Sequence, residues 1–251
     1  MTPETNPGGR IAAFFDLDGT LVPEPSLEWR FFSELRRNRR IPLVNYFHWG
    51  IEALRLLPKG LVATQHNNKR YLTGVNRDLV FRHMGSISFF EEGITRVVWH
   101  ARQGHEIVLV SGTLEVLALL AAAALECELE ARSIQLAVSV SATALAEACG
   151  RWTGHLASEV IYGQQKAKSV EMFSEQQQLD LRLCHAYGNS LLDRHLLCAV
   201  GHAHAVNPGR ELAALANRRN WPIWHWHLEK QIASGENTNL AQEIHQIEGP
   251  A

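Results

Sequence analysis

Two carboxylates lie two residues apart near the start of the chain, in the stretch AFFDLDGTL. Asp16 and Asp18 directly follow an apolar run at residues 11–15, and Gly19 and Thr20 come next. A carboxylate can attack phosphorus and form an acyl phosphate. A second acid two residues on lies on the same side of an extended chain and can protonate a leaving oxygen. The glycine allows the sharp turn that brings backbone N–H groups toward a phosphate.

Polar residues that suit the same chemistry occur at three later places. Ser111 and Gly112 follow the stretch EIVLV, and their hydroxyl and N–H groups can hold phosphate oxygens where a helix opens. Lys166 can offset the negative charge that a nucleophile and a phosphate share. Asn189 and Asp193 come after the stretch HAYG, and Mg²⁺ prefers hard oxygen ligands. With the first carboxylate pair, these residues predict a phosphoryl-transfer site that uses Mg²⁺.

The order of the predicted elements explains how these residues could meet. Short apolar runs alternate with helical patterns, which is typical of an α/β fold with a doubly wound parallel sheet. In such sheets the reactive groups lie at the carboxyl ends of the strands. A further strand and a β-hairpin turned at CGRW are predicted before Lys166. The remaining strands are predicted at residues 11–15, 106–112, 182–189, 203–208 and 222–226.

A segment of different character separates the first two strands. Residues 23–90 place Leu, Trp and Phe at helical spacing, as in SLEWRFFSELRRNRR, without a strand pattern of comparable quality. We therefore predict a discontinuous catalytic core over residues 10–22 and 91–227, with a helical cap inserted over residues 23–90. A polar C-terminal tail, partly disordered, is expected over residues 228–251.

The predicted cap is locally basic. Residues 23–95 hold eleven Lys and Arg against seven Asp and Glu, a local net charge of +4. The cluster RRNRR has two interpretations. It forms the solvated end of a helix, or it forms a basic rim that attracts an anionic substrate or an acidic membrane surface.

Composition narrows the class of protein. The net charge of −2 over 251 residues disfavours wholesale nucleic-acid binding, which usually shows as a strongly basic domain. Four cysteines are scattered without CxxC spacing, as is typical of core thiols in a reducing compartment. The start lacks a signal-peptide pattern, and the longest apolar run, residues 116–125, is too short to span a bilayer. We expect a cytoplasmic protein without stable membrane insertion, and the sequence indicates no oligomeric state.

Histidine is abundant, and the stretches GHAHAV and HWH raise the question of a metal site. No Cys or carboxylate accompanies these histidines at zinc-site spacing. His202 and His204 are therefore expected on one face of a strand without a metal. Trp221, Trp224 and Trp226 are expected in the core and at the sheet edge.

Taken in order along residues 11–208, the motifs DLDGT, VSGT, a lysine after a hairpin and YGNSLLD resemble those of the haloacid dehalogenase-like (HAD) superfamily. The long insert matches the position of the family's C1 cap, and the GRWTGHL hairpin resembles subfamily IB hydrolases, the group nearest phosphoserine phosphatase. The resemblance implies a Rossmann-like core and a Mg²⁺-dependent phosphatase acting on a small phosphorylated metabolite. A dehalogenase is disfavoured because those relatives do not need the acid that Asp18 provides. A phosphomutase stays open, although nothing marks a phosphosugar cap.

The resemblance also implies roles by position. Asp16 would be the nucleophile and a metal ligand. Asp18 would be the general acid and base, and its backbone carbonyl would be a metal ligand. Ser111, Gly112 and Lys166 would bind the substrate phosphate.

Three further points leave alternatives open. Lys168 competes with Lys166 for the lysine role, and the spacing after the hairpin favours Lys166.

Asn189 falls where the family has a carboxylate that ligates Mg²⁺, and Asp193 falls where the family has a carboxylate that supports the waters of the metal. The amide removes one negative charge, which leaves three alternatives. The enzyme works with a weaker or compensated metal site, it is an inactive relative that only binds a phosphorylated ligand, or the amide is an engineered or sequence-specific change in an otherwise active phosphatase. The substrate is not indicated, because only Glu24 lies near the place where phosphoserine phosphatases carry an acid for the substrate amine.

Overall fold

The structure is a computed structural model that describes residues 10–227. The predicted tail at residues 228–251 lies outside the described residues, as do residues 1–9. The strands of the described chain are β1 (Ala12–Phe15), β2 (Glu106–Leu114), β3 (Val138–Thr143), β4 (Leu145–Ala148), β5 (Arg151–Leu156), β6 (His185–Gly188), β7 (His202–Val206) and β8 (Ile223–Trp224). Its helices are α1 (Leu27–Arg37), α2 (Leu43–Leu56), α3 (Leu61–Asn67), α4 (Leu79–His83), α5 (Glu91–Arg102), α6 (Glu115–Glu130), α7 (Gln164–Gln177), α8 (Arg194–Cys198) and α9 (Arg210–Arg219).

Six of these strands form one parallel sheet in the order β3-β2-β1-β6-β7-β8. The chain starts in the middle of the sheet, builds β2 and β3 on one side, and then returns to build β6, β7 and β8 on the other. This order confirms the predicted doubly wound α/β fold. Strands β4 and β5 pair separately as an antiparallel hairpin, at the place where the sequence predicted one.

The central strand explains why the sheet is covered on both faces. All four residues of β1 are buried, and successive side chains point to opposite faces. Phe15 belongs to one hydrophobic cluster with Leu109 of β2 and residues of α5 and α6. Phe14 belongs to a second cluster with Val108 of β2 and residues of α7, α8 and α9. The two layers of helices hold the carboxyl end of β1 in a fixed position.

The end of β2 differs from the sequence-based boundary. The strand was expected to stop at Gly112 and open a helix there, but it continues to Leu114, and α6 begins at Glu115. After an irregularity in register, Leu114 still pairs with Thr143 of β3. Strand pairing with β3 therefore keeps Ser111 and Gly112 in extended backbone instead of at the first turn of a helix.

The segment between β1 and α5 is helical, as the spacing of its apolar residues indicated. It contains α1 to α4 and two short 3₁₀ turns, at Leu57–Lys59 and Arg70–Leu72. Backbone hydrogen bonds join it to β5, where Trp152 donates to the Val75 carbonyl at 3.0 Å and accepts from Gly74 at 2.7 Å. Among residues 10–227, no helix combines the length and the apolarity needed to cross a bilayer.

Candidate active site

The carboxyl ends of β1 and β6 and the last residues of β2 meet beside a cavity of about 680 Å³. All the residues that the sequence analysis proposed for the site line this cavity: Asp16, Asp18, Ser111, Gly112, Lys166, Asn189 and Asp193. They come from separate parts of the chain and converge because parallel strands end at the same edge of the sheet. We call the part of the cavity that these residues form the floor.

Asp16 is the first residue after β1 and is almost completely buried. Its backbone N–H donates to the Tyr187 carbonyl at 2.9 Å, which extends the pairing of β1 with β6. Thr20 donates its hydroxyl to Asp16 Oδ2 at 3.0 Å, and Lys166 donates from Nζ to Asp16 Oδ1 at 2.5 Å. Burial raises the pKa of Asp16 to about 6, against the opposing effect of Lys166, and the nearby Asp193 raises it further. Both oxygens of this carboxylate are thus fixed in direction.

Asp18 lies on the turn that leaves β1. Its Oδ1 accepts a hydrogen bond from the backbone N–H of Leu27, the first residue of α1, at 2.7 Å. Burial raises the pKa of Asp18 to about 7, and the negative charges of Asp16, Glu24 and Glu28 act in the same direction. A carboxyl group with this pKa holds a proton near neutral pH and can donate it.

The turn that carries Asp18 depends on Gly19. This glycine has φ +81°, in the left-handed region, and its N–H donates to the Val22 carbonyl at 2.7 Å. A Cβ atom there would lie 2.0 Å from Nδ2 of Asn189. The missing side chain therefore lets the loop after β6 approach the loop after β1.

Lys166 connects three parts of the floor. It is buried on α7 and donates from Nζ to Asp16 at 2.5 Å and to Oδ1 of Asp193 at 2.6 Å. Burial alone would lower the pKa of Lys166, but the two carboxylates raise it above its ordinary value. Lys168 lies outside the cavity, exposed to solvent, with Nζ 3.7 Å from Glu159. The geometry therefore favours Lys166 over Lys168 for the lysine role.

Asp193 is a buried carboxylate that holds the loop after β6 in place at the floor. Its Oδ2 accepts from the N–H and the hydroxyl of Ser190, both at 2.9 Å, and from the N–H of Asn189 at 3.2 Å. This arrangement is a capping box that starts the 3₁₀ turn Leu191–Asp193. A Cβ on Gly188 would lie 2.6 Å from Cβ of Asp193, so the close approach requires glycine there.

Ser111 and Gly112 form the side of the floor that β2 provides. Ser111 is buried, and its Oγ accepts from the N–H of Thr113 at 3.2 Å. The Gly112 carbonyl accepts from the Thr143 hydroxyl at 3.0 Å. A Cβ on Gly112 would contact the Ile161 carbonyl at 3.3 Å and the His66 ring at 3.4 Å. This glycine therefore lies in close contact with the helical segment above it.

The residues that line the upper part of the cavity were not predicted from the sequence. A partly buried ion pair lies there: Lys69 donates from Nζ to Glu28 Oε1 at 2.5 Å, and the Tyr71 hydroxyl donates to the same oxygen at 2.9 Å. The apolar lining consists of Trp29, Phe32, Trp49, Ala53 and Leu61. Ser190 was also missed, although the capping-box spacing SxxD in YGNSLLD is a signal that could have found it.

The donor atoms of the floor fit a hard divalent cation. Asp16, Asp18 and Asp193 bring three carboxyl groups to the floor, where Lys166 is the cation that contacts two of them. Burial raises the pKa of both Asp16 and Asp18 even though Lys166 contacts Asp16, so the chain by itself offsets their negative charge only in part. Carboxylate, carbonyl and amide oxygens, the last from Asn189, are the ligands that Mg²⁺ accepts in proteins.

The histidines of β6 and β7 lie away from this cavity. His204 Nε2 is 3.2 Å from Nδ1 of His185, and Trp224 donates its indole N–H to His204 Nδ1 at 3.2 Å. Burial lowers the pKa of His204 to about 3, which keeps the ring neutral. His100 of α5 forms a hydrogen bond through Nε2 with the Tyr187 hydroxyl at 2.8 Å. These rings hydrogen-bond to one another and to aromatic partners.

Comparison with known proteins agrees with this geometry. The model of the haloacid dehalogenase-like hydrolase family matches residues 13–197, which include every residue of the floor. The chain belongs to this family. A Mycobacterium tuberculosis protein named a probable phosphatase is 31% identical over 89% of this chain and 79% of its own length. A phosphoserine phosphatase of the same organism is 26% identical over 88% of this chain and 73% of its own.

Solved structures share the fold at lower identity. A Bordetella pertussis protein of unknown function superposes with a TM-score of 0.65 at 22% identity, over 86% of this chain and 98% of its own. A substrate-bound phosphoserine phosphatase superposes with a TM-score of 0.59 at 17% identity, over 95% and 99%. The predicted fold, the resemblance to the phosphoserine phosphatase group and the class of enzyme, a phosphatase-type hydrolase, are confirmed.

Proposed function

We propose that the protein is a Mg²⁺-dependent phosphatase that hydrolyses a small phosphomonoester through an aspartyl-phosphate intermediate. The observation that carries this proposal is the fixed geometry of Asp16. Its carboxylate is held between Thr20 and Lys166 at the cavity floor, and a second carboxyl group, Asp18, with its pKa raised to about 7, follows two residues on. A nucleophile and an acid are thus side by side, as hydrolysis of a phosphomonoester requires.

In the first step, an oxygen of Asp16 attacks phosphorus. The bond from phosphorus to the ester oxygen breaks, and Asp18 gives its proton to the departing alcohol. Ser111, Gly112 and Lys166 bind the phosphoryl oxygens, and the charge of Lys166 offsets the negative charge that develops. Thr20 and Lys166 keep the attacking carboxylate in line.

In the second step, Asp18 is ionised and removes a proton from water. The water oxygen attacks phosphorus, inorganic phosphate forms, and the Asp16 carboxylate leaves. A residue with a pKa near 7 suits both steps, because it donates a proton in one and accepts a proton in the other. We propose that residues 23–90 act as the cap that closes over the core, residues 10–22 and 91–227, and excludes bulk water.

The metal would be held by Asp16, the backbone carbonyl of Asp18 and Asn189, with Asp193 orienting its waters. When bound, Mg²⁺ supplies positive charge that stabilises the phosphoryl group under attack. Asp193 would act mainly as a support, since its oxygens already accept hydrogen bonds from Lys166, Ser190 and Asn189.

The upper wall of the cavity does not favour phosphoserine in particular. The carboxylate of Glu28 lies in the wall, but Lys69 and Tyr71 already donate to it. A substrate amine that approached Glu28 would lie close to the buried ammonium of Lys69, whose like charge repels it. We therefore propose a phosphomonoester without assigning phosphoserine.

The test is phosphate release from a panel of phosphomonoesters, with Mg²⁺ or with EDTA. Turnover with Mg²⁺ and its loss in Asp16→Ala are expected. Asp180→Ala is the matched control, because Asp180 pairs with Arg182 before β6, away from the cavity. Turnover that survives Asp16→Ala would contradict the proposal.

A second function is favoured by Asn189 alone: a protein that binds a phosphorylated ligand without hydrolysing it. An amide at this position leaves the floor with one carboxylate fewer for a metal. This alternative predicts no turnover by the wild type and a gain of turnover in Asn189→Asp. Normal turnover by the wild type would exclude it.

A further inference from the structure

Helices α2 and α3 and the 3₁₀ turn between them present eight exposed apolar side chains to solvent. We call this group the apolar face; its members are Leu43, Val44, Phe47, Ile51, Leu54, Leu57, Leu61 and Val62. Leu43 is 86% exposed, Leu61 76% and Leu54 72%. Single exposed apolar residues are ordinary, but eight on three successive elements mark a surface for another molecule.

The exposure follows from a fixed orientation of α2. Leu43, Phe47, Ile51 and Leu54 are spaced by four, four and three residues, so they share one side of the helix. On the opposite side, the buried Asn45 donates from Nδ2 to the Tyr71 carbonyl at 3.1 Å and to the Thr73 carbonyl at 2.7 Å. A rotation of α2 that buried the apolar face would break both hydrogen bonds and leave a buried amide unpaired.

The apolar face is surrounded by positive charge. Residues 36–62 contain six Lys and Arg and one Glu, a net charge of +5. Four of the arginines, in the stretch RRNRR, precede α2 and are exposed, and Arg55 and Lys59 lie exposed near its C-terminal end. An apolar helix face with cations around it is the pattern of helices that lie in the interface of an anionic membrane.

The same charge argues against a second copy of the chain as the occupant. A symmetric dimer brings the same patch of each subunit together, so it would set two surfaces of net charge +5 against each other. An anionic lipid surface accepts the apolar side chains and neutralises the arginines at the same time.

The cavity opens next to this surface. Leu61 belongs both to the apolar face and to the cavity lining, and the half-exposed Trp29 lines the cavity as well. Phe32, Trp49 and Ala53, which are less exposed than Leu61, line the same cavity as the floor. An acyl chain that enters beside Leu61 can therefore contact apolar side chains inside the cavity that holds the phosphate site.

We propose that the apolar face docks on an anionic lipid bilayer, and that the cavity takes from it a phosphomonoester with an acyl chain. The docking proposal depends only on the exposed surface, whereas the choice of substrate depends on the proposed function. The phosphate of such a lipid would meet the floor while its chain lies along the wall of Phe32, Trp49 and Ala53.

Docking is tested by co-sedimentation of the full chain with vesicles of phosphatidylcholine alone, or of equal parts phosphatidylcholine and phosphatidylglycerol. We expect binding to the anionic vesicles and at least about a tenfold weaker affinity for Phe47→Glu/Leu54→Glu, because charged side chains do not enter the lipid interface. Leu119→Glu, an exposed leucine on α6, is the matched control and should bind like the wild type. Turnover of p-nitrophenyl phosphate at the wild-type rate by the double variant would show that the fold and the floor are intact.

A second variant, Arg39→Glu/Arg40→Glu, keeps the apolar residues and should also weaken binding to anionic vesicles at least about tenfold. Docking is wrong if the wild type stays in the supernatant with anionic vesicles, or if both double variants bind as the wild type does. Sedimentation velocity without lipid should show a monomer. A dimer that Phe47→Glu/Leu54→Glu dissociates, without vesicle binding, would assign the face to a second copy and overturn the proposal.

The substrate is tested with a monoacylglycerol phosphate against glycerol phosphate, which has the same phosphate ester but no acyl chain. We expect kcat/KM to be at least about tenfold higher for the acylated compound, because its chain buries apolar surface. Equal values for the two compounds would overturn this choice of substrate and leave the proposed phosphatase intact. If no phosphomonoester is hydrolysed, the proposed function and the substrate fall together, while the vesicle experiment still decides docking.

Discussion

The floor of the cavity and the apolar face above it depart from ordinary protein anatomy in opposite ways. At the floor, charged side chains are buried: Asp16, Lys166 and Asp193 are each at most 5% exposed. On the apolar face, large hydrophobic side chains are exposed. At the floor, Lys166 contacts the carboxylates of Asp16 and Asp193 and so offsets much of the cost of burying their charge. The apolar face, in contrast, is left uncovered by the described chain. The difference is consistent with the two proposals: buried charges suit a reaction site, and exposed apolar side chains suit contact with a partner.

The largest expected effect concerns the cation of the floor. Lys166→Met should lower kcat for a soluble phosphomonoester by about 10²- to 10³-fold, because it removes the charge that stabilises the transferring group. Lys168→Met is the matched control, since this exposed lysine lies two residues away on the same helix. Steady-state kinetics of both variants is the measurement, and an equal loss in both would contradict the assignment of Lys166.

The next largest effect is expected on the free energy of unfolding, because Asp18 is a buried carboxyl group. The pKa of Asp18 is about 7 in the folded protein against an ordinary value of 3.8, so the folded state keeps a proton that the unfolded chain has released. Stability therefore falls as pH rises from about 4 to 7. In EDTA, Asp18→Asn should raise the free energy of unfolding at pH 8 by about 2 to 4 kcal/mol and have little effect at pH 4.

Urea denaturation at the two pH values measures this difference. Asp180→Asn is the control, because Arg182 hydrogen-bonds this partly exposed carboxylate and holds its pKa below the ordinary value. That variant should not gain stability at pH 8. A gain at pH 8 in Asp180→Asn equal to that in Asp18→Asn would show that the effect does not come from burial at the floor.

A smaller effect is expected at the amide of the floor. Asn189→Asp should lower the Mg²⁺ concentration for half-maximal activity by about tenfold, since it adds a carboxylate ligand to a site of hard oxygens. The titration of activity with Mg²⁺ is the measurement, and Asn217→Asp on the exposed side of α9 is the control. An unchanged titration would mean that residue 189 does not contact the metal.

The smallest effect is expected on the apolar face. Leu54→Ala should change the free energy of unfolding by no more than about 0.5 kcal/mol, because the side chain makes little contact with the rest of the chain. Leu56→Ala, two residues on and buried, should cost about 2 to 3 kcal/mol. Chemical denaturation of this pair tests the comparison directly. Equal losses would mean that the face is part of the core.

The fold could be predicted from the sequence in most of its elements. Fully apolar runs such as that of β1 are typical of strands buried on both faces, and their alternation with helices identified the doubly wound sheet. The end of β2 could not be predicted, because pairing of Leu114 with Thr143 is a contact between distant parts of the chain. Local pattern alone does not report such a contact.

The residues of the candidate site were likewise predicted from the sequence only in part. Asp16, Asp18, Ser111, Gly112, Lys166, Asn189 and Asp193 were identified from the sequence, and all of them line the cavity. The hydrogen-bonded group of Glu28, Lys69 and Tyr71 was not, because these residues lie up to 43 positions apart and carry no motif. Only the packing of α1 on the turn Arg70–Leu72 brings them together.

The sequence by itself was enough to propose Asp16 and Asp18 as nucleophile and acid, because both directly follow one short strand, where local rules fix the side of the chain on which they lie. It also determined that residues 23–90 are helical. Only the tertiary structure decided which lysine reaches Asp16, since 150 positions separate Asp16 from Lys166. It alone decided which side of α2 meets solvent, because this helix carries apolar residues on all sides and the orientation is fixed by the distant carbonyls that Asn45 contacts.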